Sequence, residues 1–582
     1  MKKILALISL CLGLYFNNFS QSIDVNWSSM RNYENKKDGF FDQYIGANSK
    51  YVYAKFHKMA WKPNKANSKI KIVAYDKKTM EISSSKAIIG YKENEGSKDK
   101  YQGLEFYKGI PVENSVYLFW YKKLKGNYEL YAEVLDSKLN EKIKLKKVYE
   151  VINKGKKWDP NLFVVGNEKA SENIVIGAEL PRDKGQNIKF EYKVLKSDLS
   201  FEAANQITLP YSTESKSGLT SDYELGDNGF LYIKTDIRMD KDERANLKKH
   251  ESPNYSNLAV LNLSTGKLST NAFKFDDKNL FYLDYLVTPN SVKVFAFFCD
   301  LLKDPKGRDS HGIFYGEIDN ATNSMTKTNF TYFDKETLTK LFEKDKKDNH
   351  KSGIFSSKKS KKSDDESLAD DYVIEEVQSL DKDNIVLFCS RMNNWSTTTC
   401  DSKGNCHTNY YCTKSNVTTI KMDNNGKILW SNNLDREITY SGWNVYDLKV
   451  VNKADKLYVI YGSAFQINAK KKNRRSAKGK NQRTDRLEYA VFNYKDGAFK
   501  RDEYKLNAIN AQKKDRKTIS PSDITVLDNT MYVDYSRVSI KPLPIIFGCL
   551  GGLICPPVIA IPFLSGNARK GYGYLGTITP LK

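Results

Sequence analysis

The feature that most constrains the fold is an eightfold recurrence of one strand motif. Each time, a short turn rich in Asn, Asp, Ser or Gly precedes a strand in which aromatic and β-branched residues alternate. Recurrence over many residues predicts repeated supersecondary units, none of which buries its apolar surface alone. The motif strands lie 57 to 93 residues apart and begin at Tyr51, Val116, Ile174, Leu231, Val292, Ile385, Leu457 and Met531.

Each unit contains three further strands. An apolar strand precedes the turn, and a hairpin such as AVLNLSTGKLST follows the motif strand. Turns of this composition supply the positive φ angles that tight hairpins need. Few stretches have convincing helical periodicity, and the best of them is Lys335–Phe342. The fold class is therefore all-β, with four antiparallel strands in each unit.

Four-stranded sheets with two apolar faces bury both faces when they pack around a common axis. We therefore predict that residues 23–582 form a single eight-bladed β-propeller. A seven-bladed ring is one alternative, and two or three separate β-sandwiches are another. The eighth unit lacks a strand after GYGYLGTIT (Gly571–Thr579), whereas IDVNWSS (Ile23–Ser29) belongs to no unit. We expect these segments to pair, so that the N-terminal strand completes the last blade.

These repeats resemble those of β-propellers in general, across the whole mature chain. One segment, MDNNGKILW (Met422–Trp430), is similar to a blade motif of quinoprotein-type propellers. The other seven units do not repeat it, so the resemblance does not imply pyrroloquinoline quinone. No nucleotide-binding, zinc-protease or serine-hydrolase motif is present. We therefore expect no cofactor and assign no catalytic residue.

The first 22 residues, MKKILALISLCLGLYFNNFSQS, have the layout of a secretory signal peptide. Two lysines precede an apolar run from Ile4 to Phe16, and the small residues Ser20 and Ser22 precede the expected cleavage point. The mature chain is therefore expected in the periplasm, on the cell surface or in the extracellular medium. Cysteines in such compartments form disulfides.

Three long insertions, at 393–416, 468–486 and 543–564, join the second and third strands of units six, seven and eight. The first contains the spacing Cys-x5-Cys-His-x4-Cys, which is not the C-x2-C pattern of zinc sites, so disulfides are expected rather than a metal. Two such bridges would stiffen an exposed loop. The predicted disulfides are Cys389 with Cys412, Cys400 with Cys406, and Cys549 with Cys555.

The insertion Asn468–Arg486 contains nine Lys or Arg and one acid, Asp485. A second charged segment, Glu343–Ser367, separates units five and six. Clustered cations bind polyanions by counterion release, and the chain has a formal net charge of +23. Because the 468–486 loop has no aromatic side chain for base stacking, we do not expect nucleic acid. The anion-binding candidates are Lys470, Lys471, Lys472, Arg474, Arg475, Lys478, Lys480 and Arg483.

The insertion Leu543–Leu564 has 22 residues and no charge. Its prolines and glycines oppose a continuous membrane-spanning helix. We expect an apolar hairpin loop, which either packs inside the ring or contacts a membrane or an outer-membrane protein. The apolar contact candidates are Ile545, Ile546, Phe547, Leu550, Leu553 and Ile554.

The leading functional hypothesis is a non-catalytic, exported interaction scaffold that is monomeric on its own. Its basic and apolar loops, on one face of the ring, would contact a polyanion, an acidic protein surface or a membrane-associated partner. One alternative is a secreted enzyme with an axial site, either acting on polysaccharide as a hydrolase or lyase or resembling quinoproteins. Another is an accessory subunit of an outer-membrane complex.

Overall fold

In the computed structural model, 22 stretches of the chain are described. They comprise residues 23–29, 31–32, 40–57, 69–89, 101, 103–124, 126–153, 160–167, 173–183, 185–201, 204–212, 222–238, 252, 254–304, 310–342, 372–381, 383–400, 406–442, 445–462, 486–505, 524–540 and 569–580.

The described strands form eight antiparallel sheets, which we number as blades 1 to 8. Two short strands, β1 (Ile23–Trp27) and β2 (Arg31–Asn32), precede blade 1. Blade 1 contains β3 (Phe40–Ala47), β4 (Tyr51–His57), β5 (Lys69–Asp76) and β6 (Ile82–Ile89). Blade 2 contains β7 (Glu105–Val112), β8 (Ser115–Leu124), β9 (Asn127–Asp136) and β10 (Glu141–Ile152). Blade 3 contains β11 (Asn161–Gly166), β12 (Ile174–Glu179), β13 (Asn187–Leu195) and β14 (Asn205–Ser212). Blade 4 contains β15 (Asp222–Leu225), β16 (Phe230–Arg238), β17 (Asn254–Asn262) and β18 (Leu268–Phe273).

The remaining blades follow the same order. Blade 5 contains β19 (Lys278–Val287), β20 (Ser291–Asp300), β21 (Gly312–Asp319) and β22 (Ser324–Tyr332), and helix α1 (Lys335–Phe342) follows it. Blade 6 contains β23 (Tyr372–Ser379), β24 (Asn384–Cys400), β25 (Cys406–Asp423) and β26 (Ile428–Ser441). Blade 7 contains β27 (Lys449–Lys453), β28 (Lys456–Ile460), β29 (Arg486–Asn493) and β30 (Phe499–Lys505). Blade 8 contains β31 (Ile524–Leu527), β32 (Thr530–Ile540) and β33 (Arg569–Pro580) from the C-terminal part of the chain.

The N-terminal strand completes blade 8, as predicted. β1 pairs antiparallel with β33, from Ile23 opposite Pro580 to Trp27 opposite Gly576. The first strand of each blade is innermost, and β31 of blade 8 contacts β3 of blade 1. The protein is therefore an eight-bladed β-propeller, and the seven-bladed and multi-sandwich alternatives are excluded.

Apolar packing occurs between neighbouring blades rather than inside them. Within the described residues, each of the eight blade interfaces has its own buried cluster. At the closure, Val25 of β1 packs with Tyr489 of blade 7 and Ile578 of blade 8. On the other side of blade 8, Tyr532 and Leu575 pack against blade 1. Closing the ring thus covers both faces of every sheet.

A recurrent turn joins the third and fourth strands of blades. An Asp or Asn side chain accepts a hydrogen bond from the backbone N–H two residues later, as Asp76 does from Lys78 at 3.0 Å and Asp319 does from Ala321 at 3.1 Å. The last turn residue then adopts positive φ, as at Met80 (58°). Such side-chain bonds stabilise the turn without a glycine.

The segment similar to a quinoprotein motif contains one of these turns. Asp423 Oδ1 accepts hydrogen bonds from Asn425 N and Lys427 N at 2.8 and 2.9 Å. Gly426 has φ of 77°, and a Cβ there would approach Tyr315 Cβ of blade 5 to 2.6 Å. The glycine is needed for close docking of blade 6 on blade 5.

The expected helix forms at α1. Asp334 Oδ1 accepts a hydrogen bond from Thr337 N at 2.7 Å, which caps the helix N-terminus. In the part of the chain that the structure describes, no helix is long and apolar enough to cross a bilayer.

Candidate functional site

The described strands that flank the insertions of blades 6, 7 and 8 end at one face of the ring. Each insertion joins the second and third strands of its blade, β24 to β25, β28 to β29, and β32 to β33. Because the strands alternate in direction from the same inner strand, these connections all emerge at the same end. We call this end the loop face.

Many sequence candidates lie outside the described residues. These are the charged segment 343–367, the anion-binding candidates from Lys470 to Arg483, and the whole apolar insertion 543–564 with Cys549 and Cys555. Their placement therefore stays a prediction. The insertion 393–416 is described except for 401–405.

The described part of the blade 6 insertion is a projecting hairpin. β24 and β25 stay paired from Asn384 opposite Asp423 to Cys400 opposite Cys406. Near its middle, the Trp395 ring stacks on the Tyr411 ring, with centroids 4.3 Å apart. Trp395 Nε1 donates a hydrogen bond to Thr413 Oγ1 at 3.0 Å. These contacts stiffen a hairpin that extends beyond the blade.

One predicted disulfide is present and another is not. Cys400 and Cys406 form a bridge with a Cα–Cα distance of 4.0 Å. The predicted bridge between Cys389 and Cys412 is wrong, since both are free and buried. The hairpin register places Cys389 opposite Thr418 and Cys412 opposite Asn394. When Cys400 lies opposite Cys406, the residue opposite Cys412 is Asn394. Asn394 lies five positions along β24 from Cys389, so Cys389 and Cys412 cannot meet in this register.

A buried ionic cluster lies below this hairpin, between blades 6 and 7. Arg436 of β26 contacts two carboxylates, with Nη1 2.7 Å from Asp447 Oδ2 and Nη2 3.3 Å from Glu375 Oε1. Lys414 Nζ of β25 lies 2.9 Å from the same Glu375 oxygen. All four side chains are at most 1% exposed. We call Glu375, Lys414, Arg436 and Asp447 the blade 6–7 ion cluster.

Two neutral groups also bond to this cluster, although Glu375 Oε2, Arg436 Nε and Asp447 Oδ1 have no hydrogen-bond partner among the described residues. Tyr440 OH donates a hydrogen bond to Asp447 Oδ2, and Arg436 Nη2 donates one to Ser390 Oγ, both at 2.7 Å. Burial alone would lower the pKa of Arg436, but the charges of Asp447 and Glu375 hold that pKa above its usual value. Burial and the Asp447 charge raise the pKa of Tyr440 well above its usual value. Arg436 therefore stays charged and Tyr440 stays neutral at neutral pH.

The ion cluster also holds the root of the basic insertion. Gly462 N, the last described backbone N–H before 463–485, donates a hydrogen bond to Asp447 Oδ2 at 3.2 Å. Arg501 Nε donates one to Tyr461 OH at 3.0 Å. A Cβ at Gly462 would lie 2.0 Å from Tyr440 OH, so the backbone approaches the cluster closely.

A second group of charges lies on the inner strands of successive blades. Asp222 and Glu224 come from β15, Asp284 from β19 and Glu376 from β23. Asp222 and Glu224 are exposed, whereas Asp284 and Glu376 are half-buried. Lys449 of β27 interacts electrostatically with Glu376. We call these four acids the axial carboxylates.

Three of the axial carboxylates have raised pKa values. Burial raises the pKa of Asp284 and Glu376, and partial desolvation of the carboxyl group raises the pKa of Glu224, although the residue as a whole is exposed. The negative charge of Asp284 adds to the rise at the other two. Near Asp284, β19 contains a bulge at which Tyr282 adopts φ of 51°. Bulges of this kind redirect side chains and are frequent beside functional sites.

The raised pKa of Asp284 predicts how the stability of the protein depends on pH. The folded protein holds a proton on Asp284 more tightly than the unfolded chain does, so this residue's contribution to stability falls as pH rises from about 4 through the folded pKa. We expect D284N, which keeps the acceptor for Tyr285 N at 2.9 Å, to raise Tm at pH 7.5. The gain should shrink toward pH 4, as measured by thermal unfolding across this range.

A matched control comes from a carboxylate whose pKa is lowered rather than raised. Asp319 is half-buried, and hydrogen bonds from Thr322 hold its pKa below the usual value. D319A should therefore lower Tm at pH 7.5. A lower Tm for D284N at pH 7.5, with the same pH trend as D319A, would contradict the prediction.

Sequence reasoning missed both groups of charges. Their members come from separate blades, and only the ring brings them together. A sequence feature that could have revealed both groups is the pair of acids Glu375–Glu376 inside the apolar strand YVIEEVQS. Among the residues that the structure describes, no three His, Cys, Asp or Glu side chains are grouped closely enough to hold a metal ion.

Comparison with known proteins identifies no family. No protein-family model matches the sequence, and no curated protein matches it significantly. Solved structures that it resembles include the β-propeller domain of the Trilobed protease from Pyrococcus furiosus, with 9% identity, TM-score 0.34, and coverage of 82% of this chain and 97% of that one. The WD40 domain of SCAP from fission yeast gives 7% identity, TM-score 0.34, and coverage of 96% and 98%.

A polysaccharide lyase, PL25 ulvan lyase, gives 10% identity, TM-score 0.32, and coverage of 79% of this chain and 91% of that one. These similarities are to proteins of different kinds. At such identities and TM-scores they carry no argument about function. The fold assignment rests on the strand pairing described above.

Proposed function

We propose that this protein is an exported interaction scaffold that binds an acidic or polyanionic partner on its loop face. The observation that supports it is the position of the three long insertions, each between the second and third strands of consecutive blades. Insertions on a rigid scaffold are the usual sites of binding. Through them, one partner would contact the basic loop of blade 7 together with the loops of blades 6 and 8.

The charge of the chain favours an anionic partner. The formal net charge is +23, and nine Lys or Arg are concentrated in Asn468–Arg486. Such a loop attracts polyanions without a preformed pocket, since displaced counterions supply the driving force. The apolar insertion 543–564 of the adjacent blade would add contact with a membrane or a membrane-associated protein.

A rigid base supports this role for the basic loop. Its first anchoring residues, Tyr461 and Gly462, are hydrogen-bonded to Arg501 and to Asp447 of the blade 6–7 ion cluster. Buried ionic groups fix geometry at a considerable desolvation cost. The loop is thereby presented from a fixed point on the loop face.

Replacing Asn468–Arg486 with a neutral Gly/Ser segment of equal length tests the proposal. Heparin serves as the probe, and its Kd is measured between about 50 and 300 mM NaCl. We expect binding to weaken on the order of tenfold or more at 100 mM salt. The slope of log Kd against log salt should also fall, because fewer counterions are released.

The matched control is a scrambled loop with the same residues, which keeps the charge and should retain both affinity and slope. Equal heparin binding by the neutral and wild-type proteins would refute the role of this loop. Loss of binding with the scrambled loop would show recognition of sequence rather than charge, and would contradict the polyanion mechanism.

A second candidate function is enzymatic, and the axial carboxylates favour it. Acid–base cleavage of a glycosidic bond needs two carboxyl groups in different protonation states, contributed here by different blades. Burial raises the pKa of both Asp284 and Glu376, which is the direction required of the proton-donating member of such a pair. The test is turnover of a panel of neutral and acidic polysaccharides by the wild type. Turnover that D284N and E376Q abolish would favour the enzyme over the scaffold.

A further inference from the structure

The hairpin of blade 6 has an open edge near its tip. β23 pairs with β24 as far as Tyr372 opposite Arg391, and β24 then continues to Cys400. Among the described residues, no strand pairs with the outer side of Trp395–Cys400, which we call the blade 6 edge. This edge belongs to the blade 6 insertion of the loop face, and the inference concerns its backbone groups rather than the basic loop on which the proposed function depends.

The geometry identifies which backbone groups face outward. In an antiparallel pair, residues with Cα atoms about 4.5 Å apart are non-hydrogen-bonded, and those about 5.5 Å apart are hydrogen-bonded. The Cα–Cα distance of Cys400 and Cys406 is 4.0 Å, so Cys400 directs its N–H and C=O away from β25. The register has no shift between Arg391 and Cys400. By alternation, Ser396 and Thr398 also direct their backbone groups outward.

The blade 6 edge lacks the features that normally prevent strand pairing. Natural edges are blunted by Lys, proline, bulges or a covering element. Trp395–Cys400 reads WSTTTC and contains no charge, proline or glycine. Its Thr residues are β-branched, which suits an extended backbone.

The edge is also held in a fixed conformation. The disulfide closes the tip, Trp395 stacks on Tyr411, and Thr398 Oγ1 lies 3.0 Å from Thr408 Oγ1 across the pair. Ser396–Cys400 are exposed and add nothing to the blade cores. An isolated hairpin is marginal in water, so this reinforcement serves the projecting strand itself. Binding to a stiff edge requires little further ordering.

We propose that the blade 6 edge binds an extended segment of a partner protein by β-strand addition. The segment pairs with the outward N–H and C=O groups of Ser396, Thr398 and Cys400, as in other edge-recognition modes. The uncharged edge selects an uncharged segment, and Thr and aromatic neighbours favour β-branched or aromatic residues at alternate positions. A second copy of this chain fits less well, because two proteins of net charge +23 repel and a six-residue edge is small for a dimer interface.

The experiment uses the full mature protein and a synthetic peptide, Thr-Val-Thr-Val-Thr-Val between Gly-Ser ends. Hydrogen exchange followed by mass spectrometry reports the amides of Ser396, Thr398 and Cys400, and a titration gives Kd. We expect the peptide to slow exchange at this edge. S396P and T398P remove outward donors without removing a bond to β25, and should weaken binding at least tenfold.

S396A and T398A are the matched controls, which keep the N–H groups and should bind within twofold of wild type. T398K adds an edge charge without a backbone change and should also weaken binding, so the test survives if a proline variant misfolds. Three outcomes would overturn the proposal. The proline and alanine variants could bind the peptide with equal Kd, the amides of the blade 6 edge could exchange slowly even before peptide is added, or the protein could form a dimer that S396P abolishes. The last would identify a second copy as the occupant.

Discussion

Replacing Arg436 with methionine is expected to lower the free energy of unfolding by about 3–5 kcal/mol. The variant keeps most of the side-chain volume but leaves the carboxylates of Asp447 and Glu375 without the guanidinium that lies 2.7 and 3.3 Å away. Buried charges that lose a partner cannot recover their hydration. Urea unfolding, followed by fluorescence and circular dichroism, measures the loss.

An exposed ion pair supplies the control for R436M. Lys147 lies 2.8 Å from Glu150, but its side chain is 44% exposed, so K147M should shift the urea midpoint far less than R436M does. The double variant R436M/D447N also removes the Asp447 charge, which R436M leaves without its partner. It should recover part of the lost free energy of unfolding. If R436M and K147M unfold at the same urea concentration, the ion cluster does not stabilise the junction of blades 6 and 7.

Introducing a charge into the closing strand is the second change with a large expected effect. Val25 is 3% exposed and packs in the core between blades 7 and 8. V25D would bury a carboxylate there without a partner, and we expect a loss on the order of 3 kcal/mol or more. Its measurement combines urea unfolding with limited proteolysis, which should release fragments from blade 8 first.

The neighbouring residue on the same strand provides a matched control. Asn26 is exposed on the opposite face of β1, so N26D should change stability by about 0.5 kcal/mol. Equal stability and equal protease resistance of V25D and N26D would show that pairing of β1 with β33 does not hold the ring closed.

The blade count was predictable because it depends on local patterns. All eight motif strands, from Tyr51 to Met531, are second strands of blades. Alternating aromatic and β-branched residues mark such strands, since both faces are buried. The pairing of Ile23–Trp27 with β33 was also predictable, as one unit lacked a strand and one strand lacked a unit.

The side-chain groupings were not predictable in the same way. Glu375, Lys414, Arg436 and Asp447 come from different strands or connections, and only the register of blade 6 and its contact with blade 7 bring them together. The axial carboxylates depend likewise on the order of blades around the ring. The failed pairing of Cys389 with Cys412 shows that register, rather than proximity along the chain, decides which cysteines meet.

The sharing of blade 8 between β1 and β33 has a consequence for synthesis and quality control. Ile23 and Val25 are made among the first residues of the domain, yet their packing partners Tyr489 and Ile578 are made among the last. Until then, these apolar side chains stay accessible to chaperones and proteases. Any nascent or truncated product that lacks β33 therefore leaves the apolar side chains of β1 without their covering strand, at the opposite terminus from the missing segment.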